Sequence, residues 1–193
     1  MRLKIVSVGE PVLRADSREL SKEQILSPST QNLIEYMRET VRDAPGVGLA
    51  APQVGESLQL AVIEDKLEYH KSLTEKELRE RGRSAIPFHV IVNPVLELLT
   101  EPTENFYEGC LSLPGFTALV ARAKEVRVHC LDHCGEARII HASGWYARIL
   151  QHEIDHLRGT LYIDRMQARS FSTLENYTRH WKDRRQNATG SEG

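Results

Sequence analysis

The apolar positions of this chain change period several times, and each change marks an element. Across residues 28–43, Leu33, Ile34, Met37 and Val41 recur at spacings of three and four, the stripe of an amphipathic helix, with Ser27 or Ser29 placed to cap its start. A second helix is expected from about Trp145 to Leu157, capped by Ser143 and stopped near Gly159. Short apolar runs bounded by turn residues read as strands at residues 3–8, 58–63, 88–92 and 95–99, the last two separated by Asn93-Pro94. Residues 126–131 and 137–141 read as a hairpin turning through Asp132-His133-Cys134-Gly135, and Leu161-Tyr162-Ile163 as a last strand piece. Two loops interrupt the pattern: 44–55, whose small side chains let another group approach the backbone closely, and 108–115, punctuated by Gly and Pro.

The polar stretches divide the chain further. Residues 66–87 are highly charged and carry a Thr74 to Glu77 capping pattern, which predicts a short solvated helix in an insertion. The expected organisation is one domain over residues 1–166 and a charged C-terminal extension over 167–193 that frays at its Gly/Ser/Asn end.

Composition narrows the partners. With 25 Lys+Arg against 27 Asp+Glu the net charge is -2, so no basic field recruits DNA or an anionic membrane, and a small or peptide-like partner is expected. No apolar run approaches a membrane span, and residues 1–6 lack the apolar core of a signal peptide. The expected location is cytoplasmic, or an organelle matrix after loss of a transit peptide. Three cysteines without framework spacing fit a reducing compartment.

The chemistry concentrates in Gln151-His152-Glu153-Ile154-Asp155-His156-Leu157. On a helix, residues four apart share a face, so His152 and His156 can close on one metal ion, while Glu153, rotated by about 100°, can exchange protons with water beside it. A third ligand is needed. The extended protease form of the motif would need histidine where Tyr162 stands, and Asp164 and Glu175 are the downstream carboxylates. Cys110, between Gly109 and Leu111, offers a thiolate, although a free cysteine is more commonly a small buried hydrophobe. Cys130, Cys134, His129 and His133 form a second His/Cys cluster, but strand alternation sets His129 and Cys130 on opposite faces.

Three stretches in order, Gly46-Val47-Gly48-Leu49-Ala50-Ala51-Pro52-Gln53, Glu108-Gly109-Cys110-Leu111-Ser112 and the helix motif, resemble the peptide deformylase family, apart from Leu113 where Val is common. The resemblance covers about residues 6–166. It implies an α+β fold of antiparallel strands packed around a central metal-binding helix. It implies that Cys110, His152 and His156 hold the metal, that Glu153 is the acid/base, and that Gln53 and the backbone N–H of Leu111 form the oxyanion site. The ion it implies is Fe2+, with Zn2+ or Ni2+ able to substitute; ligand chemistry alone would suit zinc equally well. The reaction it implies is attack of metal-bound hydroxide on the formyl carbon of N-formylmethionyl nascent peptides. Val47, Gly48, Gly109, Trp145, Arg148 and Ile149 are the expected substrate-binding residues. Two rival readings are a zinc peptidase of the His-Glu-x-x-His type and a metal-stabilised module docking on the ribosome near the exit site through residues 179–185.

Overall fold

The computed structural model describes residues 1–44 and 46–182. Its helices are α1 (Lys22–Leu26), α2 (Pro28–Asp43), α3 (Glu75–Arg81), α4 (Gly144–Leu157), α5 (Tyr162–Arg165) and α6 (Leu174–His180). Its strands are β1 (Gly48–Ala50), β2 (Leu60–Asp65), β3 (Ile86–Leu98), β4 (Glu104–Cys110), β5 (Leu113–Arg122), β6 (Glu125–Leu131), β7 (Ala137–Ser143) and β8 (Ser172–Thr173). A five-stranded sheet runs in the order β1-β2-β3-β6-β7 and a three-stranded sheet in the order β4-β5-β8, with every pairing antiparallel.

The larger sheet is covered on both faces, which explains why β2 is apolar without interruption. Ala61 and Ile63 point to the α4 side, into a cluster with Ile149, Leu150, Ile154 and Leu157. Leu60 and Val62 point to the α2 side, against Ile34, Met37 and Val41. Strand geometry sends successive side chains to opposite faces, so a strand between two helices has no polar face to show. Each of the Leu, Ile, Val and Met side chains among them contributes about 1.5–3 kcal/mol on burial, and Ala61 less. The α2 stripe read from the sequence is the face that packs, and Ser27 caps the helix by accepting from the Thr30 N–H. Helix α4 is buried from Ala147 to Leu157 except at His152, which makes it the central helix of an α+β fold, as expected.

Several local expectations are corrected. Residues 3–8 form no strand; single bonds from Val6 N–H to Gln53 O (2.9 Å) and Val8 N–H to Ser112 O (2.8 Å) hold them against the two motif loops instead. Residues 88–92 and 95–99 are not two strands but parts of β3, which absorbs Pro94 at a bulge where Asn93 takes φ 49°. The Asn93 side chain holds that bulge by bonding both the N–H and the C=O of Leu20. The loop at 108–115 is mostly strand, with Cys110 opposite Leu113 across a tight hairpin. Ser143 stands at the N-cap of α4, but its hydroxyl makes no cap bond. Leu161-Tyr162-Ile163 is not a strand either: the Asp164 carboxylate accepts the Leu161 N–H (2.7 Å) and starts α5.

The charged insertion contains the expected helix, α3, with its capping box between Thr74 and Glu77. It is also fastened from below. Fully buried Asp65 accepts from Nε and Nη2 of Arg83 (2.7 and 2.9 Å) and lies 3.1 Å from His70 Nε2. Beyond Met166 the chain pairs β8 with β5 and adds α6. Residues 183–193, with the end of the charged run and the tail, lie outside the described residues.

Candidate active site

Helix α4 and the β4–β5 hairpin meet at three ligand-type atoms. The donor atoms of Cys110, His152 and His156 all lie within 4.8 Å of one another, with Cys110 Sγ 3.3 Å from His156 Nε2. The two imidazole centroids are 5.0 Å apart, as expected one helical turn apart on one face. His152 Nδ1 donates to Glu108 Oε2 (2.9 Å), which leaves its Nε2 for the centre. A thiol and two imidazole nitrogens converging beside a partnerless carboxylate oxygen fit a tetrahedral ion with one open position.

Glu153 is that carboxylate. It is 4% exposed, its Oε2 has no hydrogen-bond partner among the described residues, and burial pushes its pKa up to about 7 although the His152 charge opposes this. Gly48 makes room for it: a Cβ at residue 48 would stand 2.3 Å from Glu153 Oε1. Gly48→Ala therefore crowds Oε1, Cδ and Cγ of a buried side chain, at a stability cost of about 1–3 kcal/mol, and moves the carboxylate. A displacement of about 1 Å costs on the order of 100-fold in rate, so activity measured well below the unfolding temperature should fall that far in protein that is still folded.

Gln53 sits in a tight turn just after β1. Its Oε1 accepts the Ala50 N–H (2.9 Å), which fixes the amide so that Nε2 faces Cys110 Sγ (3.4 Å) and Ser112 Oγ (3.3 Å). Leu111 occupies the turn between β4 and β5 beside Cys110. A cleft of about 380 Å³ opens over these groups, and Val47, Gly48, Gly109, Trp145, Arg148 and Ile149 all line it. Arg148 differs from a simple wall residue. Its guanidinium donates to Glu108 Oε1 (2.6 Å) and to the carbonyls of Val120 (3.0 Å) and Glu104 (2.5 Å), so its charge is already neutralised.

Behind His152 lies an array of charges that no motif in the sequence announces. Arg122 donates to both oxygens of Glu108 (2.9 and 3.0 Å) and to Asp155 Oδ2 (2.5 Å), and Arg165 grips the same Asp155 through two bonds of 2.7 and 2.8 Å. Burial alone would raise the Glu108 carboxyl, but its bond to His152 and the charge of Arg122 hold it well below the usual carboxylate range. Asp155, which the motif left without a role, is thus the anchor of Arg122. An arginine inside the otherwise apolar run Leu119-Val120-Ala121-Arg122-Ala123 was the available signal.

The other candidates are not assembled. Asp164 bonds Arg14 and the Leu161 N–H, Tyr162 is buried with its ring near His152, and Glu175 lies in the exposed first turn of α6. His129 is exposed while Cys130 is buried on the opposite face. Asp132, His133 and Cys134 come close together, but both Asp132 oxygens already bind the turn, through the N–H groups of Cys134 and Glu136 and the Arg138 side chain.

Antiparallel strands packed on a central helix that carries His152 and Glu153, with a cysteine delivered from a hairpin, bring a candidate metal-ligand set and a buried carboxylate into one cleft. The family model described as polypeptide deformylase matches residues 2–172. The chain is 48% identical over 172 residues to peptide deformylase 1A, chloroplastic, of Solanum lycopersicum, covering 89% of this chain and 62% of that protein, so it spans less than two thirds of that relative's length. It is 45% identical over 180 residues to peptide deformylase 3 of Streptomyces avermitilis, covering 93% of this chain and 78% of the relative. The Met-Ala-Ser-bound crystal structure of class I type b peptide deformylase from Acinetobacter baumannii superposes with a TM-score of 0.75 at 29% identity, covering 86% of this chain and 99% of that one. The chain belongs to the polypeptide deformylase family.

Proposed function

We propose that this protein is a metal-dependent amide hydrolase that removes the N-terminal formyl group from N-formylmethionyl peptides of nascent proteins. The observation that carries the reading is the convergence of Cys110 with His152 and His156 beside the buried Glu153, whose Oε2 has no hydrogen-bond partner among the described residues. Cys110 Sγ and Nε2 of both histidines would hold Fe2+, with Zn2+ or Ni2+ able to take its place. When bound, such an ion supplies Lewis acidity, lowering the pKa of water at the site to roughly 7 and drawing charge from the formyl oxygen.

The chain's own groups do the rest. Glu153 takes the proton from the attacking water as the bond to the formyl carbon forms, then gives it to the departing nitrogen, leaving formate and a free α-amine. The Gln53 Nε2–H and the Leu111 N–H donate to the oxygen that gains charge; one such donor is typically worth about 3–4 kcal/mol. The substrate backbone has a natural seat. Among the described residues β1 and β4 are end strands of their sheets, and Gly48, Glu108, Gly109 and Cys110 bring both edges to the cleft, so an extended peptide can pair with them. The A. baumannii relative holding Met-Ala-Ser supports a peptide of that kind. Val47, Trp145 and Ile149 form the wall for the methionine side chain.

The site of action follows from the substrate pool: the cytoplasm, or an organelle matrix, in line with the chloroplastic relative in tomato. No helix among the described residues is long and apolar enough to cross a membrane. The test is formate release from an N-formylmethionyl peptide after anaerobic iron loading. Cleavage of internal peptide bonds without formate would return the site to the peptidase reading. Cys110→Ala should lose the ion, and metal analysis showing full occupancy in that variant would remove Cys110 from the ligand set.

A further inference from the structure

The cleft has a wall that the chemistry does not use. Leu113, Phe116 and Leu174 line it beside the catalytic groups, and Leu174 arrives from α6, far along the chain. Phe116, Phe171 and Leu174 are 38%, 42% and 48% exposed, and they gather at one edge of the small sheet. Apolar side chains exposed singly are ordinary, whereas a group of them at the mouth of a cleft marks a contact surface.

The segment that carries Leu174 is fastened rather than trailing. Phe116 and Phe171 stack with centroids 5.2 Å apart and planes 5° from parallel, and Tyr107 meets Tyr177 at 4.3 Å. Thr173 lies opposite Phe116 in the β5–β8 register, and its hydroxyl caps α6 by accepting the Asn176 N–H (3.2 Å). Ser170 Oγ accepts the Leu119 N–H (2.8 Å), adding a third tie to β5. Leu174 is therefore presented to the cleft from a fixed position.

We infer that Leu174 and Phe116 form an apolar subsite for the side chain of the second or third residue of the formylated peptide, so that the C-terminal segment sets sequence preference beyond methionine. The inference rests on the deformylase reading above. An extended peptide advances about 3.3 Å per residue and sends alternate side chains to opposite faces, so the residues after methionine meet walls other than Val47, Trp145 and Ile149. Leu174 enters from the β4–β5 side of the cleft, while Trp145 and Ile149 belong to α4.

The experiment measures kcat and KM for formyl-Met-Ala-Ser, formyl-Met-Leu-Ser and formyl-Met-Ala-Leu with the wild-type protein, Leu174→Ala and Leu174→Asp. The wild type should prefer one leucine peptide over formyl-Met-Ala-Ser by roughly three- to tenfold in kcat/KM, carried by KM, a smaller ratio than a fully enclosed pocket gives because Leu174 is half exposed. Leu174→Ala should shrink that ratio, and Leu174→Asp should erase or invert it. Equal ratios in all three proteins, or a wild type indifferent to the three peptides, would overturn this subsite alone. Formate release from none of the peptides would overturn the deformylase reading and the subsite with it.

Discussion

Glu153→Gln should lower kcat for deformylation by roughly 10²–10⁴-fold while the fold and the metal content stay as they are. Glutamine keeps the shape of the side chain and still fits beside Gly48, where the space is already closed to a Cβ. It cannot accept a proton. The charged carboxylate is costly to bury, as the upward shift of the Glu153 pKa to about 7 records, so the neutral amide should leave thermal stability unchanged or slightly higher. Lost turnover at undiminished stability is the signature of a group kept for chemistry. Steady-state kinetics, metal analysis and thermal unfolding on one preparation decide it, and unaltered turnover would end the acid/base assignment.

How much of this could be read from the sequence depends on how local each interaction is. His152 and His156 are legible because helical periodicity alone puts them on one face, and α2 is legible because its stripe is the buried one. Cys110 is legible as a thiolate candidate and Gln53 only through the family motif, since nothing in their spacing states that a hairpin and a turn after β1 meet the same helix. Glu108 and Arg122 escaped because ion pairing across strands leaves no periodic trace: the partners lie 14 residues apart, and Arg122 and Asp155 lie 33 apart. The split of β3 into two expected strands came from reading Asn93-Pro94 as a break, when the Leu20 backbone satisfies Asn93 and the strand continues through a bulge. Leu161-Tyr162-Ile163 looked like a strand because its residue types favour one, and a single carboxylate, Asp164, turned it into a helix. The C-terminal segment reads as a charged extension because the run ending in Lys182-Asp183-Arg184-Arg185 dominates its pattern, although Phe171, Leu174 and Tyr177 recur at spacings of three.

The array behind His152 carries the largest stability prediction, an outcome of where Arg122 sits rather than of how many bonds it makes. Arg122→Met should destabilise the fold by about 3–5 kcal/mol, because it strips the shared cation from two buried carboxylates and leaves each with incomplete compensation. Arg122, Glu108 and Asp155 are all under 10% exposed, so water cannot take over the lost bonds. For a chain of this size that loss corresponds to a fall of roughly 6–20 °C in Tm. Arg165→Met is the control: Arg165 binds the same Asp155, but its side chain is 49% exposed, so its removal should cost at most about 1 kcal/mol. Acid adds a second check on the same network. The Glu108 carboxyl is held well below its ordinary value of 4.5, so as pH falls past that value the unfolded chain takes up a proton that the folded chain still refuses. Wild-type stability should therefore be fully present above that value and decline below it. Arg122→Met, with less holding Glu108 ionised, should show a shallower acid decline from its lower starting point. Equal acid slopes in the two proteins would mean that Arg122 acts on the fold through packing alone, and that His152 is oriented by Glu108 without help from the charge behind it.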